Sequence, residues 1–237
     1  MTQFFCSNLY KNISNQLSDN MISFSKGNLH FAIHHKTFVE SADPAIICFV
    51  AGALYTAPHT LKRRVEYNQY IINLYKKYNS QFVKQLDGEF SIILADFSEN
   101  ILLISTDIFS TQSIWLLNNP PAPFCVSTTS SFIRKLGFPA GKRLQPNKTL
   151  VFSLTDFSLL ESHSVFDFDF NQYKEDFSDW NHAFEKAIQK RASKDIFLGL
   201  SSGHDSGLIF NGLKKNNRFR KATDWTDIGI VHVKEFI

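Results

Sequence analysis

The chain has 237 residues, of which 43% are apolar and 20% charged, with a net charge of +3 and three cysteines. These are globular values, with room for one large domain or for one domain and the start of another, and they argue against disorder. Lys and Arg are spread along the chain and the longest apolar run, around residues 45–54, is too short and broken to span a bilayer, so neither nucleic acid nor membrane is an expected partner.

Cys6, Cys48 and Cys125 are odd in number and lack metal-ligand spacing, and the N-terminus shows no basic-then-apolar leader. Both features point to a reducing compartment, and the expected location is the cytoplasm. Residues 1–36 carry one strand signal, the alternation at Leu29–Ile33. Residues 45–54 read as a buried strand that breaks at Gly52. Tyr67, Ile71, Leu74, Tyr75 and Tyr78 recur at helical spacing, so a helix with one apolar face is expected there, with Lys76 and Lys77 near its C-terminal end.

Phe90–Leu94 and Ile101–Ile104, separated by the polar turn of residues 97–100, read as a hairpin. The proline-rich residues 116–123 read as a loop, because proline lacks the N–H that a central strand needs. Phe124–Thr128 and Thr149–Leu154 are further strands, so the first two thirds is sheet-rich. The 24 phenylalanines are taken first as core filler. Composition shifts around residues 161–175, where phenylalanine alternates with acid, and this stretch is taken as a linker. A helix over 178–192, capped by Ser178 or Asp179, presents Trp180, Phe184, Ala187 and Ile188 on one face.

The helix leads to a short apolar strand, Ile196–Leu200, then the small-residue loop Ser201-Ser202-Gly203-His204-Asp205-Ser206 and an apolar run that begins a second helix. Strand, Gly/Ser loop and helix form a plausible phosphate cradle: glycine and serine let backbone N–H groups approach an anion, and the helix N-terminus adds partial positive charge.

Several stretches, in order, resemble the landmarks of the asparagine synthetase B-type family. They are Gly52-Ala53-Leu54-Tyr55, Leu86 to Phe90 with Asp96, Thr106 to Ser110, Lys190-Arg191 and the 201–206 loop. That family joins a class II glutamine amidotransferase domain to an ATP-pyrophosphatase synthetase domain. The resemblance implies an α+β fold: an Ntn-hydrolase-like αββα sandwich over 1–160, a linker at 161–177, and over 178–237 the first helix, strand, loop and helix of an α/β domain. It further implies that Ser201, Ser202, Gly203, Asp205 and Ser206 bind the pyrophosphate of ATP, with Asp205 near Mg²⁺ or the loop's own amides. The family loop is Ser-Gly-Gly-x-Asp-Ser, and Ser202 stands in place of its first glycine.

The amidotransferase half departs further from the family pattern. The family's nucleophile is a cysteine exposed once Met1 is removed, whereas position 2 is Thr2. Its oxyanion asparagine and substrate-binding glutamate fall on Ala51 and Ala53, and its substrate-binding aspartate on Tyr67. The resemblance therefore implies a ligase of acyl-adenylate chemistry with no catalytic residues left for glutamine hydrolysis, and no metal site of its own among the residues present. Only 31 residues follow Ser206, so the synthetase domain is expected to be truncated: a fragment, a split-gene subunit or a decaying copy. The alternatives are a catalytically silent scaffold that binds a separate synthetase chain or forms a homodimer, and an N-terminal nucleophile hydrolase using Thr2.

Overall fold

The computed structural model describes residues 4–8, 21–34, 43–56, 64–118, 123–135, 137–171, 173–192, 198–200, 203–215, 221–225 and 231–235. They form two compact units, residues 1–168 and 169–237.

In the first unit the strands are β1 (Phe4–Ser7), β2 (Met21–Lys26), β3 (Leu29–His34) and β4 (Ile46–Leu54), then β5 (Gly88–Asp96), β6 (Ile101–Thr106) and β7 (Trp115–Leu117). They are followed by β8 (Cys125–Ser127), β9 (Lys142–Arg143), β10 (Thr149–Ser153) and β11 (Leu159–His163). The helices are α1 (Arg64–Tyr78), a 3₁₀ segment at Asn79–Gln85, and α2 (Ser130–Lys135). Two antiparallel sheets result, in the orders β2-β3-β1-β8-β7-β9 and β11-β10-β6-β5-β4.

Period-two alternation explains the layering, because successive side chains of a strand point to opposite faces. Phe4, Cys6, Phe31 and Ile33 of the first sheet meet Phe49, Ile93, Ala95 and Ile104 of the second in a shared core. Phe4 stacks on Phe49 across it, with centroids 4.6 Å apart, and Phe124 meets Phe152 edge-on at 5.3 Å. On the outer face of the second sheet, Cys48, Val50, Ile92 and Leu94 pack against Ile71, Ile72 and Tyr75 of α1 and Phe82 of the 3₁₀ segment. On the outer face of the first, Phe5, Ala32 and Cys125 pack against Ile133 of α2. The order of layers is therefore helix, sheet, sheet, helix, the αββα sandwich expected.

Three local readings are corrected. β4 does not break at Gly52 but stays paired with β5 through it, Gly52 opposite Phe90, because φ is +100° there and only glycine takes that conformation readily. Residues 116 and 117, read as loop, belong to β7, which pairs with β8 and β9. Pro120 and Pro121 lie outside the described residues. Glu161–His163, read as the start of a linker, pair with β10 as part of β11. β1 carried no sequence signal, since all four of its residues are buried and nothing alternates.

The turn from β5 to β6 is held by Asp96, which is 3% exposed. Its carboxylate accepts from Ser98 N (2.9 Å), Ser98 Oγ (2.6 Å), Glu99 N (3.1 Å) and Tyr75 Oη (3.0 Å). Burial pushes its pKa up, but these donors outweigh burial and hold it below the ordinary carboxylate value, while burial and the neighbouring carboxylate push the Tyr75 phenol up. A depressed folded pKa contributes stability that is present above the unfolded value, about 4, and is lost as pH falls through the folded one. Asp96→Asn is expected to cost about 1–3 kcal/mol at pH 7 and to flatten the loss of stability below about pH 4, read from urea midpoints between pH 7 and pH 2.5.

The second unit contains α3 (Ser178–Arg191), β12 (Leu198–Leu200), α4 (His204–Lys215), β13 (Lys221–Trp225) and β14 (Val231–Glu235). Its sheet order is β12-β13-β14, with β12 parallel to β13 and β14 antiparallel to β13. Ile188, Ala192 and Leu213 form its small core, with Phe184, Leu198 and Ile209 against it. The residue before α3 is Phe177 and no side chain caps that helix; the Ser178 N–H and hydroxyl both donate to Asp176, at 2.9 and 2.6 Å. β13 was not anticipated, its sequence Lys-Ala-Thr-Asp-Trp being too polar to announce itself.

Candidate functional site

The expected phosphate loop lies between β12 and α4. Of its five proposed ligand residues, Ser201 and Ser202 lie outside the described residues, while Gly203, Asp205 and Ser206 come together within one turn. Gly203 precedes the helix, Asp205 is exposed in the first turn, and Ser206 Oγ donates to Gly203 O at 3.1 Å. The first helical hydrogen bond runs from Gly207 N to Gly203 O, 3.4 Å, so the N–H groups of residues 204–206 precede the helix's own ladder. β12 runs parallel to β13 with α4 between them in sequence, which puts this turn at the carboxyl end of a parallel strand. In open parallel sheets the ligand crevice lies at that end.

The chemistry of this turn suits a polyphosphate: a glycine that lets backbone approach, N–H groups ahead of a twelve-residue helix, and a hydroxyl. For Mg²⁺ the residues supply one carboxylate, Asp205, and among the described residues no cluster of three His, Cys, Asp or Glu side chains exists. A single carboxylate fits an ion that keeps waters and is held chiefly by the nucleotide's phosphates, not one held in a protein cage. His204 is exposed at the start of α4.

In the first unit, three positions that the resemblance assigns to glutamine chemistry carry Ala51, Ala53 and Tyr67 in place of the family's asparagine, glutamate and aspartate. Ala51 is buried against the intersheet core, Ala53 is exposed, and Tyr67 packs beside the layer under α1. Thr2 lies outside the described residues. Cys6 sits in mid-strand, fully buried, and burial pushes its thiol far above the ordinary value, so it is not an available nucleophile. The retained landmarks are structural. Asp87 O accepts from Tyr55 N (2.7 Å) and Thr56 N (3.3 Å), and Asp107 gathers the β5 start and the β6–β7 loop onto one carboxylate.

Sequence reasoning missed a second feature, a polar cleft of about 280 Å³ in the first unit. Ser91 of β5, residues 111–113 and 115, and the four consecutive hydroxyls of residues 128–131 line it. The Thr-Thr-Ser-Ser run was the available signal.

No family model matches the chain. It is 25% identical over 182 residues to "Asparagine synthetase [glutamine-hydrolyzing] 1" of Lotus japonicus, an alignment covering 70% of this chain and 30% of that protein. The chain resembles the asparagine synthetases. It thus spans under a third of the length of the curated relative it matches. Among solved structures, glutamine PRPP amidotransferase from B. subtilis, complexed with ADP and GMP, aligns at 12% identity and TM-score 0.46, over 81% of this chain and 50% of that one. An allosteric regulatory enzyme of purine biosynthesis aligns at 12% and TM-score 0.45, over 80% and 50%. The likeness to an asparagine synthetase agrees with the order of the landmarks in the sequence. Among the described residues no helix is long and apolar enough to cross a membrane.

Proposed function

We propose that the chain is part of an ATP-dependent, amide-forming ligase of the asparagine synthetase type, in which the 201–206 loop receives the nucleotide's pyrophosphate. The first unit keeps an amidotransferase scaffold without glutamine hydrolysis. ATP supplies the activation of a substrate carboxylate; the residues here bind and orient it. Backbone N–H groups at the start of α4 face the phosphates, Gly203 allows their approach, Ser206 offers a hydroxyl after turning from Gly203 O, and Asp205 lies beside an ion carried in with the nucleotide.

The observation that carries this reading is the position of Gly203–Ser206 at the carboxyl end of a strand in a parallel pair, leading directly into a helix. The loss of glutamine chemistry is supported by Ala51, Ala53 and Tyr67, since removal of one oxyanion donor alone costs about 3–4 kcal/mol in the transition state. The test is calorimetric titration of the full chain with ATP and Mg²⁺, paired with incubation in L-glutamine. Saturable ATP binding that weakens about tenfold or more in Ser206→Ala, with no glutamate released, is expected. No ATP binding by the unmodified chain removes the ligase reading, and glutamate release abolished by Thr2→Ala reinstates the hydrolase.

A further inference from the structure

We propose that the polar cleft of the first unit binds a small neutral polyol, of about monosaccharide size. Its volume, about 280 Å³, lies just under the usual range for ligand sites, about 300–1,000 Å³, so only a small ligand fits. Among the described residues its lining consists of hydroxyls, one carboxamide (Gln112) and one indole (Trp115), with no ionisable side chain. Hydroxyl walls both donate and accept, as the hydroxyls of a polyol do, and an indole offers a broad apolar surface to the C–H face of a sugar ring.

Ser91 is the decisive residue. It is fully buried, and its Oγ has no hydrogen-bond partner among the described residues. It sits on the same face of β5 as Ile93 and Ala95, both of which belong to the apolar core between the sheets. An alanine would pack there equally well. A hydroxyl at the end of this apolar row, bordering the cleft and without a partner, has a use only if something in the cleft completes it.

The absence of charge in the lining sets the ligand class. A zwitterion in a partly enclosed cleft needs opposite charges, and among the described residues the lining supplies no charged side chain. The helix that starts there, α2, is only six residues long and gives a phosphate little dipole. The carboxylate nearest in sequence to the 111–115 segment, Asp107, already accepts from the N–H groups of Phe90, Phe109 and Thr111 and from the Thr111 hydroxyl, so it is not available to an ammonium group. Because the Thr111 hydroxyl donates to Asp107, what it offers the cleft is its lone pairs. The site is therefore matched to a neutral ligand with donors to spare. This proposal concerns the first unit alone and does not rest on nucleotide binding in the second; either can fail while the other holds.

The experiment is saturation-transfer NMR and calorimetric titration of the full chain with D-glucose, D-ribose and myo-inositol, beside L-glutamine and inorganic phosphate. Saturable binding of at least one polyol and none of glutamine or phosphate is expected. Ser91→Ala should weaken that binding about tenfold without lowering the thermal midpoint, since the hydroxyl it removes has no partner to lose. Ser113→Ala provides a second variant outside the core. Failure of all three polyols to bind, displacement of the polyol by glutamine, or unchanged affinity in both variants overturns the proposal.

Discussion

Replacing Asp107 by alanine is expected to destabilise the first unit by about 3–5 kcal/mol. The residue is 2% exposed. One carboxylate accepts from Phe90 N at 3.1 Å, Phe109 N at 2.8 Å and Thr111 N at 3.0 Å, and also from the Thr111 hydroxyl. Hydrogen bonds to a charged acceptor contribute about 1.5–3 kcal/mol each, and truncation leaves three backbone donors unsatisfied together, so the losses are large and do not simply add. Because unfolding a unit of this size shifts its midpoint by about 2–4 °C per kcal/mol, a fall of about 10 °C should be seen by calorimetry. Asp107→Asn keeps one acceptor oxygen and should fall between the two. A loss below about 1 kcal/mol for the alanine variant would show that the loop finds other acceptors.

Gly52→Ala should cost a comparable amount by a different route. Gly52 has φ of +100°, and a Cβ there would lie 1.8 Å from Glu89 O and 3.1 Å from Gln112 Cγ. The first contact is with the backbone of the paired strand β5, which cannot move without breaking the β4–β5 ladder. Strain in the backbone alone is worth about 1–3 kcal/mol, and the clash adds to it, for an expected total of about 3–5 kcal/mol. Gly137 provides the control. It also has a positive φ, +80°, but nothing lies within 4 Å of its added Cβ, so Gly137→Ala should cost about 1 kcal/mol from conformation only. Urea denaturation of the two variants separates the terms, and equal losses would refute the steric argument.

Gly52 and Asp107 stand within landmark stretches, yet in this structure one makes room for a passing carbonyl and the other gathers three N–H groups. Packing and hydrogen bonding suffice to account for both residues beside Ala51, Ala53 and Tyr67.

The layered arrangement was legible where side chains alternate or where a long apolar run is bounded by turn residues. β3 followed from the alternation of its side chains, β5, β6 and β10 from apolar runs bounded by turn signals, and α1 from Tyr67, Ile71 and Tyr75, although its buried stripe also takes in Ile72. β1 was invisible because it is only four residues long as well as buried on both faces, too short to stand out as an apolar run, and β7 was hidden by the prolines that follow it. The strand through Gly52 was misjudged because glycine usually weakens a strand; here the partner's carbonyl fills the space a side chain would occupy.

Of the candidate sites, the 201–206 loop was readable because its residues are contiguous. The cleft was not, because Ser91, Gln112 and the 128–131 run are far apart in sequence and made of residue types common on any surface. Only the folding of β5 beside the two loops brings them together, and only burial makes the Ser91 hydroxyl conspicuous.

The three cysteines fall one to a layer: Cys6 between the sheets, Cys48 under α1 and Cys125 under α2. All are buried, and burial raises the thiols of Cys48 and Cys125 to about 12 and about 11. A thiol in such surroundings reacts only when its own layer opens. The chain thus carries a built-in reporter for each of its apolar seams, so that the order in which alkylation reaches the three sulfurs would trace which seam parts first.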